Sequence, residues 1–390
     1  MTQNNLRKEI LKDVKRVVIK IGSSILAHRE DGKPVLMKGL DKNRVRHLAG
    51  MIKKIVDGGY EVVLVSSGAI MAGRQRLGQT RTNLTIPQKQ ACAAIGQSFL
   101  MHMFEKKFEG LGLKVAQILL DSHDLENRRR FLNAKHTLEA LLEYGVIPII
   151  NENDTVTVDE IKIGDNDTLS ATVACLVGAQ MLIILSDVDG LYTSDPGGGR
   201  PKKFEPPELI SHVAKITDEI ERKAGKSNNA LTVGGMYTKV LAAKKTIIFG
   251  IPALIVNGLD DKALQNVFSG KEVGTLFWSG KEKISNRKHW IAHTLKPAGS
   301  VTVDAGAKKA LVERGKSLLP AGVVRMEGNF DFGNSVRIVD ESADEIARGL
   351  VNYSSADLAR IKGMKTSAVR NLIGDNFYEE VVHRDDLVIL

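Results

Sequence analysis

Two short runs of amide and carboxylate residues, Asn151-Glu152-Asn153-Asp154 and Gly164-Asp165-Asn166-Asp167, flank the segment Thr155–Ile163. Short amides and carboxylates can grip a small polar substrate without bulky side chains, and Asp154 and Asn166 suit an amino group and a carboxylate. Two lysines distant in sequence, Lys20 and Lys239, supply the opposite charge. A carboxylate placed between two lysines orients both through charge-assisted hydrogen bonds, and Asp167 suits that place. These residue types point to phosphoryl transfer onto a small amino-acid carboxylate. One run alone is commonly a turn, because Asn and Asp hydrogen-bond their own backbone. Two runs flanking a segment that reads as a hairpin meet in space, so the pair is read as functional.

Phosphate binding has to use something other than the usual glycine-rich loop. Gly315-Lys316-Ser317 and Gly225-Lys226-Ser227 end like that loop, but Ala310 and Ile220 stand where its first glycine must be. Lys20-Ile21-Gly22-Ser23-Ser24 offers another cradle: a lysine at a strand end, a glycine that lets the backbone approach an anion, and a serine with adjacent amides to donate hydrogen bonds. Ser66-Ser67-Gly68-Ala69 repeats the arrangement, with a helix N-terminus presenting free amides. Each also reads as a polar turn or an ordinary helix cap. Ser186 and Asp187 sit at the tip of a strongly apolar strand. The loop beyond them runs through Gly190 to Pro196, and Tyr192 offers a flat face near a base. Val233-Gly234-Gly235-Met236-Tyr237-Thr238-Lys239 is a glycine segment entering a helix; its amides suit phosphates, and Lys239 lies one turn in. Its plainer reading is a capped helix with a surface lysine.

The elements that must position these groups follow from apolar patterning. Val17–Ile21, Glu61–Val65, Val115–Leu120, Val146–Ile150, Met181–Leu185 and Ala253–Val256 read as strands. Helical stretches separate most of them, including Phe131–Tyr144 and Thr168–Val177. Asp41 caps a helix whose apolar face holds Val45, Leu48, Ile52 and Ile55, with Gly58-Gly59 ending it. Strand–helix alternation predicts an α/β fold with a mainly parallel sheet sandwiched by helices. Ligands in such a sheet bind beyond the strand C-termini. Residues 279–299 break the pattern and read as a linker, so 1–278 forms one domain and 300–390 another. The second has strands at Val301–Val303, Val323–Glu327, Ser335–Val339, Ile346–Val351 and Asp386–Leu390. Helices are expected at Ala305–Arg314 and after Ser354, and the whole reads as a small mixed β-barrel.

Length and composition agree with this division: 390 residues suit two or three domains. With 43% hydrophobic and 26% charged residues, the chain is of ordinary globular type. Two widely spaced cysteines, Cys92 and Cys175, argue against a disulfide framework or a zinc site and fit a reducing cytoplasm. His289 and His293 lack the neighbouring glutamate of a zinc hydrolase. Met1–Lys15 lacks the apolar core of a signal peptide. No run approaches the roughly 18 apolar residues of a membrane span. The net charge of +9 is uneven: residues 300–390 hold twelve Lys/Arg and fourteen Asp/Glu, a net −2, leaving +11 on the rest. Positive charge on the first domain suits anionic substrates.

Taken together, Lys20-x-Gly-Ser-Ser, Ser66-Ser-Gly-Ala, Asn151-Glu-Asn-Asp, Gly164-Asp-Asn-Asp, Asp189-Gly-Leu-Tyr-Thr and Gly234-Gly-Met-x-x-Lys resemble the amino acid kinase superfamily, in order and over nearly the whole length. Within it they resemble the branch that phosphorylates the glutamate side chain. The paired Asn/Asp runs separate that branch from the acetylglutamate and aspartate kinases. Gly315–Pro320 before Gly322 and Asn329-Phe330 resembles a PUA domain. The resemblance implies conversion of ATP and L-glutamate to ADP and L-glutamyl 5-phosphate, the first step of proline biosynthesis. It also implies Mg²⁺ arriving with ATP, inhibition by proline, and a cytoplasmic homo-oligomer. By the same resemblance Ser67, Asp154 and Asn166 hold glutamate, while Lys20, Ser186, Asp187 and Val233–Lys239 bind ATP; no residue is assigned as a metal ligand. Lys20, Lys239 and Asp167 carry catalysis. Ser186 and Val233 stand where threonine is frequent; serine keeps the hydroxyl, whereas Val233 has only its backbone to offer. A sister kinase with another acceptor is the first rival reading. RNA binding through the PUA-like part is the second, and its net charge argues against that.

Overall fold

Val17, Val18, Ile19 and Ile21 of the strand β1 (Arg16–Ile21) are all fully buried in the computed structural model, as a strand covered on both faces must be. The structure describes residues 3–390 apart from 32, 36–37, 82, 122–127, 157–164, 195–206, 226–234, 281–296 and 374–377. Most of the expected linker, with His289 and His293, therefore lies outside the described residues. Two compact units form: Met1–Leu125 with Ala134–Lys281, and Glu126–Asn133 with Glu282–Leu390.

In the first unit β2 (Arg29–Glu30) and β3 (Lys33–Pro34) make a small ribbon. The remaining strands are β4 (Glu61–Ser66), β5 (Lys114–Leu120), β6 (Val146–Glu152), β7 (Met181–Ser186), β8 (His212–Val213), β9 (Ala253–Asn257) and β10 (Thr275–Phe277). With β1 they form one sheet in the order β5-β6-β4-β1-β7-β9-β10-β8. All its pairs are parallel except β9 with β10. β1 is the switch point, with β4 on one side and β7 on the other. Ile21 registers with Ser66 and Leu185, so the three tips end level. Loops leaving such a point open a crevice for ligands.

The helix Lys42–Asp57 begins as expected, with Asp41 accepting from the amides of Asn43 at 2.8 Å and Arg44 at 3.3 Å. The helix Asp165–Leu176 corrects the expected start at Thr168. Asn166 and Asp167 thus lie in a first helical turn rather than in a loop, where an acidic side chain suits the unpaired amides and the dipole.

Among the described residues the longest helix is Ile86–Glu109, which is absent from the expected elements. Its first half packs on the helix Ala69–Leu77 by backbone contact through small residues, while Leu100, Met103, Phe104 and Phe108 of its second half are buried in the core. A Cβ on Gly73 would lie 1.8 Å from the Cys92 carbonyl oxygen, and one on Gly96 1.8 Å from that of Ala69. We therefore expect Gly96→Ala to force the two helices apart and cost about 3 kcal/mol, read as a lowered denaturation midpoint. Unchanged stability would contradict this close crossing.

The second unit holds β11 (Gly299–Val303), β12 (Val323–Gly328), β13 (Ser335–Val339), β14 (Glu345–Leu350) and β15 (Leu387–Ile389), in the order β12-β11-β13-β14-β15. Only β11 with β13 is parallel, so the sheet is mixed. Val301, Val303, Val336, Ile338 and Ala347 from the strands pack with Leu358, Ile361 and Val369 from two helices. Asp304 and Ser354 cap helices by accepting from Ala307 and Asp357 amides. Among the described residues, no helix of the chain is long and apolar enough to cross a membrane.

Candidate active site

Lys20 is the penultimate residue of β1, registered between Val65 and Ile184. Its neighbours in the sheet are apolar, and its ammonium reaches the first turn of the helix Asp165–Leu176. There Nζ lies 2.7 Å from Asp167 Oδ1. The other oxygen, Oδ2, lies 3.5 Å from Lys239 Nζ and accepts a hydrogen bond from Thr238 Oγ1 at 2.6 Å. Lys239 stands one turn into the helix Met236–Ile248, near the carbonyl of the N-capping Gly235. All three charged residues are buried. Two ammoniums share one carboxylate, so the trio holds one net positive charge where solvent is largely excluded. Burying charge is costly unless it is paired and hydrogen-bonded, so this arrangement favours an anion beside the lysines.

The preceding residue faces a second group. Asn166 Nδ2 donates to Ser67 Oγ at 2.9 Å and to Asn151 Oδ1 at 3.0 Å. Ser67 follows the tip of β4, and Gly68 after it adopts φ +113, a left-handed conformation that favours glycine. Asn151 Nδ2 donates in turn to Gln97 Oε1 at 2.9 Å. Asn166 Oδ1 is buried without a hydrogen-bond partner among the described residues. Consecutive residues of one helical turn thus link a cationic cluster to an amide cluster. Asp154, half-buried, lies in the turn after β6. The expected hairpin lies outside the described residues from 157 onward.

Ser186 is buried at the tip of β7, and Asp187 is the first exposed residue beyond it. Asp187 still contributes a favourable charge to Lys20. The following loop is tied down by Asp189, whose oxygens accept from Tyr192 Oη and Asn257 Nδ2, both at 2.9 Å. Gly190 fits closely, since a Cβ there would lie 2.5 Å from Thr275 Oγ1. Gly235, Met236 and Tyr237 are half-buried at the start of their helix, while Val233 and Gly234 lie outside the described residues. The structure therefore brings Lys20, Asp167, Thr238 and Lys239 together, and separately Ser67 and Asn166. Gln97 had no signal of its own in the sequence; the glycine beside it is the only hint of a close crossing.

Residues 15–257 match the amino acid kinase family, and residues 299–373 match the PUA domain. A glutamate 5-kinase of Geobacter sulfurreducens is 50% identical over 385 residues, covering 99% of this chain and 100% of its own. The glutamate 5-kinase of Syntrophus aciditrophicus is 46% identical over 387 residues, with 99% and 97% covered. That of a Thermoanaerobacter species is 47% identical over 375 residues, with 96% and 98% covered. The chain belongs to the glutamate 5-kinase family. It is a kinase whose PUA domain follows its catalytic domain in sequence.

Electrostatics in this kinase follow from burial and from the trio's own charges. Burial pushes the Lys20 ammonium below its ordinary value of 10.5, opposed by Asp167 and reinforced by Lys239. Burial alone would raise Asp167, but the charges of Lys20 and then Lys239, with the Lys20 and Thr238 hydrogen bonds, hold it below 3.8. Asp167 is therefore ionised at neutral pH.

Proposed function

We propose that the chain transfers the γ-phosphoryl group of ATP to the side-chain carboxylate of L-glutamate, giving ADP and L-glutamyl 5-phosphate. The observation that carries this reading is the buried trio of Lys20, Asp167 and Lys239 beside the Ser67–Asn166 amide cluster. Glutamate's carboxylate, with an ordinary pKa of ~4.3, is already a nucleophile at neutral pH, so a general base is not required. Catalysis rests on positioning and on charge stabilisation. Lys20 and Lys239 take the transferring phosphoryl oxygens, and Asp167 holds the two ammoniums apart and aligned. Ser67, Asn166 and Asp154 hold glutamate. Ser186, Asp187 and the segment Val233–Lys239 hold the nucleotide, Val233 through its backbone. The donors at the trio are ammonium and hydroxyl groups, which suit phosphate oxygens, so Mg²⁺ would be held through the nucleotide and water and would screen phosphate charge.

In the same reading the kinase domain spans 1–278, a linker 279–299 and the PUA-like domain 300–390. The enzyme works in the cytoplasm as a homo-oligomer at the first step of proline biosynthesis. Proline resembles cyclised glutamate without the γ-carboxylate, so it competes for the amino-acid pocket. Glutamate kinetics unmoved by high proline would remove that element.

The test is ADP release with MgATP and L-glutamate, with hydroxylamine present to trap the acyl phosphate as γ-glutamyl hydroxamate. Both signals together support the reading; ADP without hydroxamate overturns the acceptor. The depressed Lys20 also sets a pH limit. Its positive charge, needed for phosphate binding, is lost as pH rises through a folded pKa below 10.5. kcat/KM for MgATP should therefore fall on the alkaline side with a midpoint below the ordinary lysine value. Bound phosphates oppose deprotonation, so kcat should fall only at higher pH. A kcat/KM profile flat to 10.5 would contradict this.

A further inference from the structure

The amide cluster has a determinable polarity, because one of its members is a backbone group. The amide N–H of Glu152 points at the Asn151 side chain at 2.9 Å. A backbone N–H only donates, so the Asn151 atom facing it is the carbonyl oxygen. That same oxygen lies 3.0 Å from Asn166, whose facing atom must then be the NH₂ group. The NH₂ group also donates to Ser67 Oγ. The other end of the Asn166 amide is consequently an oxygen, and that oxygen is the buried atom without a partner among the described residues. Leaving such an acceptor unmade costs free energy, so the site is built for a ligand that brings an N–H there.

That orientation turns the Asn151 NH₂ group toward Gln97, whose Oε1 accepts from it at 2.9 Å, so Gln97 holds at one end the orientation that the Glu152 amide holds at the other. Gln97 stands beside Gly96, where the helices Ile86–Glu109 and Ala69–Leu77 touch backbone to backbone. The missing Cβ at Gly96 thus lets the helix bearing Gln97 lie close to the helix that follows Ser67.

We propose that Gln97 is a positioning residue that acts through Asn151 to turn the Asn166 carbonyl oxygen toward the substrate, selecting an acceptor molecule with a protonated amine. This rests on the glutamate reading above and deepens it: the α-ammonium of glutamate, not its carboxylate, meets Asn166. An inverted Asn166 would present NH₂ and favour a carboxylate in the same place.

The experiment is a series at position 97 in the full-length chain, divided by whether the side chain accepts a hydrogen bond. Gln97→Glu keeps an acceptor for Asn151. Gln97→Met, of similar length, removes it, and Gln97→Lys replaces it with a donor. KM and kcat are measured for L-glutamate, for glutarate, which lacks the α-amine, and for MgATP. Gln97→Met and Gln97→Lys should raise glutamate KM by roughly tenfold or more, leave MgATP KM within about twofold, and shrink the preference for glutamate over glutarate. Gln97→Glu should stay near wild type. If Gln97→Met does not fold, the contrast between Gln97→Lys and Gln97→Glu carries the result. A series that does not separate by acceptor character overturns the proposal, as does one in which MgATP KM moves with glutamate KM. Wild-type enzyme that forms no hydroxamate overturns the glutamate reading itself, and this inference with it.

Discussion

Lys20→Ala should lower kcat by ~10²–10³-fold, the loss typical of removing one preorganised donor at developing charge, while glutamate KM changes little. The ammonium it removes is buried at the tip of the central strand and lies 2.7 Å from Asp167. Solvent is a poor replacement for it, because the position is buried. Lys239→Ala should act in the same direction through the other oxygen of Asp167. Neither lysine belongs to the amide cluster around Asn166, which is why glutamate affinity should be spared. Steady-state kinetics with hydroxamate detection read both parameters. Unchanged turnover in either variant would remove that lysine from the mechanism.

Asp167→Asn should be damaging in two separable ways. It leaves two buried ammoniums without their shared countercharge, which should cost about 3–5 kcal/mol of stability. It also releases both lysines from alignment, so activity should collapse with stability. The two effects divide in a double variant. Adding Lys20→Met removes one of the repelling charges and should restore much of the stability while leaving the enzyme inactive. A double variant no more stable than Asp167→Asn alone would mean that charge repulsion is not the cause.

Acid titration gives an independent reading of the same carboxylate. The folded pKa of Asp167 lies below its ordinary value. Ionised Asp167 therefore contributes stability that is complete above the unfolded pKa of ~3.9 and is lost as pH falls through the folded value. The gap in melting temperature between wild type and Asp167→Asn should be widest at neutral pH and narrow in that acid range. A gap constant from pH 7 into the acid range would contradict the linkage.

Much of the frame could be read from residues alone, and for a local reason. Buried parallel strands are short continuous apolar runs, and β1, β4, β6, β7 and β9 each show one. Capping is equally local, so Asp41 and Ser354 marked helix starts that the structure bears out. The misses are also local in origin. The first half of Ile86–Glu109 packs through Gly73 and Gly96, a contact made by the absence of side chains, so only its second half, Leu100 to Phe108, carries an apolar period. The helix expected from Thr168 begins at Asp165 because polar residues in a first turn look like the loop before it. That shift matters, since it puts Asn166 and Asp167 on successive positions of a helical turn, facing different neighbours.

The residue types that can do this chemistry, and the strand–helix alternation that places them at loop mouths, were written in the order of amino acids. Those features depend on interactions within a few residues. Which of the charged groups meet was settled by strand order. β1 lies between β4 and β7, and in the folded chain Lys20 and Lys239, far apart in sequence, meet on one carboxylate. The polarity of Asn166 was likewise settled in three dimensions, by a backbone amide at Glu152 and a glutamine on a distant helix. Hydrogen-bond direction depends on which donor faces which acceptor across the fold, and no spacing along the chain encodes it.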